Sequence, residues 1–235
     1  MVGVGVGRPV IVGDRLAAML NREDRQGSVV ARARVLPGAA EAPPRADKTL
    51  ARVVTDIFQP RNTLVAGMPA IGLAAAGDWT GLPWGLLGAL SAGIVPAGYI
   101  EWERRRGTWG DRHVVDRTQR APIFLVVLGS IGAGSGLMIL GGAPGGVLVA
   151  MLALWVMTVV LLAVNSAWKI SVDSAVASAV VAMLAAVHSP WWSAGYLLVA
   201  AVCWSRVVLG YHTVLQAAAG AGLGAATAAA FVVLH

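Results

Sequence analysis

The chain has 235 residues, of which 57% are hydrophobic and 13% charged, and its mean hydropathy is +0.71. Soluble domains carry about a quarter charged residues, so this composition excludes an ordinary soluble domain and predicts an all-α protein embedded in a membrane. The net charge of +6 comes without any nucleic-acid-binding motif, so we expect no nucleic-acid partner. The single cysteine, Cys203, excludes an intrachain disulfide.

Two regions are predicted from the distribution of apolar residues. Residues 1–50 are rich in Arg, Gly, Pro and Ala without a sustained apolar period, which predicts a disordered basic tail. Residues 51–235 are predicted to form a bundle of about six to seven transmembrane helices. The apolar segments that predict these helices are 63–77, 82–100, 122–140, 147–164, 174–187, 191–204 and 213–234.

The last segment contains Gly220 and Gly224, four residues apart, a spacing that lets helices approach closely. We expect this contact inside the chain, with a homodimer as the alternative.

The basic residues predict the orientation of the bundle. Every Lys and Arg falls before the first segment or in the links that follow the second, fourth and sixth segments. The opposite links contain Asp78 and His188 but no Lys or Arg. Because cytoplasmic links carry the positive charge, we expect an integral protein of the cell membrane with a cytoplasmic N-terminus.

Three polar motifs lie on this basic side. The strongest is residues 205–216, Ser-Arg-Val-Val-Leu-Gly-Tyr-His-Thr-Val-Leu-Gln. Arg206 offers the forked donor that suits phosphate oxygens, and a neutral His212 is a candidate nucleophile. Gln216 lies one helical turn beyond His212, where its amide oxygen could accept the imidazole N–H.

The other two motifs border neighbouring segments. Residues 168–174, Trp-Lys-Ile-Ser-Val-Asp-Ser, open the fifth segment, where the free N–H groups of a helix start favour an anion. Lys169 and Ser171 are candidate phosphate contacts, although Ser171 and Asp173 also suit helix capping. Residues 111–122 are rich in arginine, and Arg117 and Arg120 are the candidate phosphate contacts there.

The three motifs resemble the signatures of the type 2 phosphatidic acid phosphatase superfamily, which read Lys-x6-Arg-Pro, Pro-Ser-Gly-His and Ser-Arg-x5-His-x3-Asp. The third signature is matched by Ser205, Arg206 and His212, while Gln216 stands for the aspartate. In the second, Asp173 replaces the histidine that protonates the leaving group.

In the first signature His113 falls at the lysine position and Arg120 at the arginine position. The resemblance implies a bundle of the superfamily's type and a phosphohydrolase for a lipid or isoprenyl phosphate that needs no cofactor. It implies catalysis through a phosphohistidine on His212, with Asp173 and Gln216 as altered catalytic partners. The phosphate contacts it implies are Arg206, Arg120, Arg117, Lys169, Ser171, His113 and Ser205.

Three other functions stay open from the residues. A site that ionises an allylic diphosphate, as a terpene cyclase does, needs aromatic faces around the cation, for which the candidates are Trp155, Trp168, Trp204 and Tyr211. A protein that binds a lipid phosphate without catalysis would keep the arginines alone. The stretch around Asp111 and Asp116 vaguely resembles the acidic region of UbiA-type prenyltransferases, so magnesium held by these two carboxylates is a weak option.

Overall fold

All regular structure in the described part of the chain is helical, which confirms the predicted fold class at this level. The computed structural model describes residues 45–107 and 120–234. A π-helix spans Leu90–Ile94 and a 3-10 helix spans Pro190–Gly195. The α-helices are α1 Arg45–Ile57, α2 Pro60–Ala76, α3 Gly81–Ala89, α4 Val95–Arg105, α5 Arg120–Gly141, α6 Gly145–Ala167, α7 Val172–Val187, α8 Tyr196–Val208 and α9 Val214–Leu234.

Four helical stretches are long and apolar enough to cross a membrane: Gly81–Arg105, Pro122–Gly141, Gly145–Ala167 and Pro190–Val208. The apolar helices Val172–Val187 and Val214–Ala229 are shorter. Each of the seven predicted apolar segments coincides with a helix. Because a bilayer core needs about 20 apolar residues, the four long stretches indicate membrane integration.

Helix α1 was not predicted and begins inside the predicted tail. Residues 45–50 are helical, so the tail boundary at residue 50 is corrected, and residues 1–44 lie outside the described part. Ala51 is fully buried, and Val54 and Phe58 pack against Val199 and Val202 of α8. The helix is therefore stabilised by a tertiary contact, which the apolar pattern of such a short segment does not predict.

The main core lies between α2, α5, α6 and α7. Its largest fully buried side chains include Met68 and Ile71 of α2, Met151 and Leu154 of α6, and Met183 of α7. Methionine is flexible enough to fill irregular gaps between helices. This packing fixes the relative positions of the helices that carry the second motif.

Helix α9 packs closely on α7 through glycine. A Cβ atom added at Gly220 would clash with the carbonyl oxygen of Ser171, and one at Gly224 would clash with that of Ala175. Only glycine permits this approach of one helix to the backbone of the next. The predicted close contact is thus confirmed inside the chain, and a homodimer stays a prediction.

Candidate functional site

The second and third motifs meet where α7 begins. The backbone N–H of Ser171 donates to the carbonyl of Gln216 at 3.2 Å, next to the close approach of Gly220. This hydrogen bond joins the link before α7 to the first turn of α9 and fixes their register, because buried backbone groups rarely lack partners. The convergence predicted for these two motifs is therefore present in the structure.

The turn between α8 and α9 holds His212 close to the backbone of Arg206. Gly210 has φ +71°, a left-handed conformation that glycine adopts without a Cβ penalty. Its N–H donates to Val207 at 3.0 Å and the N–H of Tyr211 donates to Arg206 at 3.0 Å, the pair of bonds that defines a Schellman cap. The N–H of His212 also donates to the Arg206 carbonyl, at 3.3 Å.

Arg206 forms a buried ion pair with Asp173 of the second motif. The guanidinium Nη2 donates to Oδ1 of Asp173 at 2.6 Å, and the two side chains are 9% and 17% exposed. The Nε of Arg206 is buried and has no hydrogen-bond partner among the described residues. The ring of Tyr211 lies 5.9 Å from the guanidinium carbon. One predicted phosphate ligand and one predicted acid thus form a single charged unit.

A cavity of about 750 Å³ opens beside this unit. Asp173, Lys169 and His212 line its polar part, together with Asn165 at the end of α6. The rest of the wall is mainly apolar and comes from α2, α5, α6 and α7, including Leu64, Val127, Ile131, Leu154, Met157 and Leu161. Ligand pockets in proteins have this size and this mixture of apolar wall and few polar groups.

Charged residues at the ends of α2 and α4 also line the cavity. They are Arg61, Glu101 and Arg105, and Arg105 pairs with Glu101 at 2.8 Å. The sequence did not indicate these residues, because they belong to no recognised motif and only the fold brings them to the cavity.

The turn after α8 has a sequence signal that the sequence analysis did not use. It is Leu-Gly-Tyr, in which a glycine follows the end of a helix.

Two predicted phosphate contacts, Ser171 and Ser205, make local hydrogen bonds in the structure. Ser171 is fully buried and caps α7, because its hydroxyl accepts the N–H of Ser174 at 3.3 Å. Ser205 is also fully buried: its hydroxyl donates to the Val202 carbonyl at 2.8 Å and accepts from Thr55 at 3.1 Å. Neither residue lines the cavity, and their role as phosphate ligands stays a prediction.

Gln216 has a local role that the sequence analysis did not assign. Its amide oxygen accepts the backbone N–H of Thr213 at 3.0 Å, while the Thr213 hydroxyl accepts the N–H of Gln216 at 3.3 Å. These reciprocal bonds form a capping box at the start of α9, whose sequence signature is Ser or Thr followed three residues later by Glu or Gln. Helix capping thus accounts for a glutamine at this position.

The tryptophans predicted for a cation pocket lie elsewhere. Trp155, Trp168 and Trp204 are 39%, 37% and 37% exposed, and none of them lines the cavity. Among the described residues, the only aromatic carbon ring on the wall is that of Phe124. Tyr211 alone of the four candidates contacts the site, through Arg206.

The first motif stays largely a prediction. Arg120 is the first residue of α5. Asp111, His113, Asp116 and Arg117 lie outside the described residues. Within the described part, no three His, Cys, Asp or Glu side chains group together as metal ligands, so the weak magnesium option depends on Asp111 and Asp116.

Comparison of the chain with family models, curated proteins and solved structures finds no match in any of the three. The described fold and cavity define a helical protein with membrane-length helices and an apolar cavity that has a charged polar end.

Proposed function

We propose that the protein is an integral membrane phosphohydrolase for a lipid or isoprenyl phosphate. The observation that carries this proposal is that Lys169, Asp173 and His212 lie on the wall of one cavity whose remaining surface is mainly apolar. A substrate with an anionic head and an apolar tail satisfies both parts of such a cavity. The resemblance of the third motif to the phosphatase signature adds independent support.

The charges around the cavity favour an anionic head. The guanidinium of Arg206 offsets the charge of Asp173, so this carboxylate repels an incoming phosphate less than a lone carboxylate would. Among the described residues, the cavity wall has three other cationic side chains and one other carboxylate: Lys169, Arg61 and Arg105, and Glu101. Arg206 does not line the cavity, so its part in this proposal is to offset the charge of Asp173.

The proposed chemistry uses His212 as the nucleophile. A ring nitrogen attacks phosphorus, an N–P bond forms, and the P–O bond to the organic group breaks. The leaving oxygen takes its proton from water, because the ion pair with Arg206 holds Asp173 as a carboxylate. Water then attacks the phosphohistidine, which releases orthophosphate and restores the imidazole. This sequence of steps needs no oxidant and no metal.

The orientation forms part of the proposal. Seven crossings with the basic links on the cytoplasmic side would place His212 and Lys169 toward the cytoplasm. Single cysteines at Gly110 and Ala143 should then react with an impermeant reagent from opposite sides, Gly110 from the cytoplasmic one. Labelling of both positions from one side contradicts the seven-crossing arrangement.

The decisive experiment follows the products of purified protein in lipid nanodiscs. Phosphatidic acid, isoprenyl monophosphates and isoprenyl diphosphates are each supplied, and orthophosphate, pyrophosphate and the organic product are measured. Hydrolysis predicts orthophosphate release, loss of turnover in His212→Ala, and a trapped phosphohistidine. His188→Ala is the matched control, because His188 lies at the other end of α7, outside this cavity, and should leave turnover unchanged.

Other outcomes reject the proposal. Pyrophosphate and a hydrocarbon from an allylic diphosphate, with activity kept in His212→Ala, would show carbon–oxygen cleavage. No turnover of any of these substrates, with saturable binding, would show a lipid-phosphate-binding protein.

A further inference from the structure

Helix α1 has an apolar stripe that no described residue covers. Leu50, Val53 and Ile57 are 56%, 48% and 54% exposed. Their spacing places them along one side of the helix. A different side, with Ala51, Val54 and Phe58, packs against α8. The charged residues Arg52 and Asp56 are exposed next to the stripe.

The position of α1 along α8 indicates what covers this stripe. The Thr55 hydroxyl donates to Ser205 at 3.1 Å, one residue before Arg206. Both serine and arginine lie in the last turn of the stretch Pro190–Val208, whose 19 residues are enough to cross a membrane. Helix α1 therefore reaches the polar end of a membrane-length stretch through Thr55, while Val54 and Phe58 pack farther along the same stretch. The polar end of such a stretch is the level of the lipid headgroups.

Two further features mark this level. Trp204, next to Ser205 in the sequence, is 37% exposed, and tryptophan is enriched where bilayer and water meet. An apolar stripe beside charged residues is the pattern of helices that lie in the plane of the interface.

We propose that α1 is an interfacial helix whose stripe of Leu50, Val53 and Ile57 enters the boundary between headgroups and acyl chains. The occupant of this surface is thus the bilayer that holds the protein. The inference depends on membrane integration of the chain and does not depend on its enzymatic activity. It has one consequence for the site: seating α1 in the lipid restrains the end of α8 that carries Arg206.

The experiment measures depth in the membrane with spin labels on the full chain in nanodiscs. Cys203→Ala provides the background, with Cys203→Ser as the second choice if the alanine variant unfolds. Labels are placed at Val53 and Ile57 in the stripe, and at Arg52 and Asp56 as controls on the same helix. Oxygen, which concentrates in lipid, and a water-soluble nickel chelate then report accessibility.

The expected ratio of oxygen to nickel accessibility is several times larger at Val53 and Ile57 than at Arg52 and Asp56. Equal ratios with high nickel accessibility at all four positions would place the stripe in water and overturn the proposal. Dipolar broadening between labels would instead identify a second copy as the cover. Low accessibility to both reagents would identify another part of the chain. Because no readout involves turnover, failure of the proposed activity leaves this test intact.

Discussion

The ion pair between Arg206 and Asp173 gives the sharpest test of the site's structure. The two side chains are 9% and 17% exposed and meet at 2.6 Å. Arg206→Met removes the cation and keeps an apolar chain of similar reach, so Asp173 remains as a charge in a poorly hydrated place. The double variant Arg206→Met with Asp173→Leu removes both charges. We expect the single variant to be much less stable than the double variant.

The magnitude follows from burial and distance. At an effective dielectric constant of about 20, unit charges 2.6 Å apart attract by roughly 6 kcal/mol before desolvation is counted. Removal of one partner from a buried pair costs about 3–5 kcal/mol, whereas replacement of both by apolar groups is often neutral. For Arg206→Met we expect a loss of about 3 kcal/mol in the free energy of unfolding, the lower end of this range. The loss is reduced because the change also removes the buried Nε, which lacks a partner among the described residues.

The assay is reversible unfolding in mixed micelles of a mild detergent and increasing SDS, followed by far-ultraviolet circular dichroism. The four proteins of a double-mutant cycle are compared, which isolates the energy of the pair. Glu101→Gln is the control, because the pairs of Glu101 with Arg104 and Arg105 are solvent-exposed and their loss should not change stability measurably. A loss in the double variant equal to the sum of the losses in Arg206→Met and Asp173→Leu would refute the reasoning, since the pair would then carry no coupling.

Three further predictions concern the elements that position the site. Gly220→Ala should destabilise the protein by about 1–3 kcal/mol, because the new methyl group meets the backbone next to α7. Gly222→Ala is the control and should not destabilise it, because a Cβ there meets nothing within 4 Å. Similar losses of stability in both variants would contradict the close contact. Gln216→Ala should lower the free energy of unfolding by about 1 kcal/mol, because it removes one of the two hydrogen bonds of the capping box. Gln216→Glu should retain this hydrogen bond. An unfolding midpoint that does not change in Gln216→Ala would exclude the capping role. Thr55→Val should lose about 1 kcal/mol with its bond to Ser205, measured by the same unfolding curves, and an unchanged curve would mean that this bond does not hold α1.

The sequence determined most of the helices. Apolar runs predict membrane-length helices because a bilayer core demands about 20 such residues, and all seven predicted segments coincide with helices. The sequence also predicted that the last helix makes a close contact, since Gly220 and Gly224 permit one. That the partner is α7 is shown by the structure alone. The turn that holds His212 is also indicated by the sequence, because Gly210 follows the end of a helix.

The tertiary structure decided which polar side chains reach the cavity. Asp173 and Arg206 are 33 positions apart, and their pairing depends on how α7 and α8 are placed. Ser171 and Ser205 match the phosphatase signature as well as Arg206 does, yet both hydroxyls are buried in local bonds.

The tertiary structure also decides which side of α1 is buried and which is exposed, and it leaves three of the tryptophans partly exposed. A side chain's residue type says what it can bind. Which face of its helix is covered depends on neighbouring helices, and that information is distributed over the whole chain.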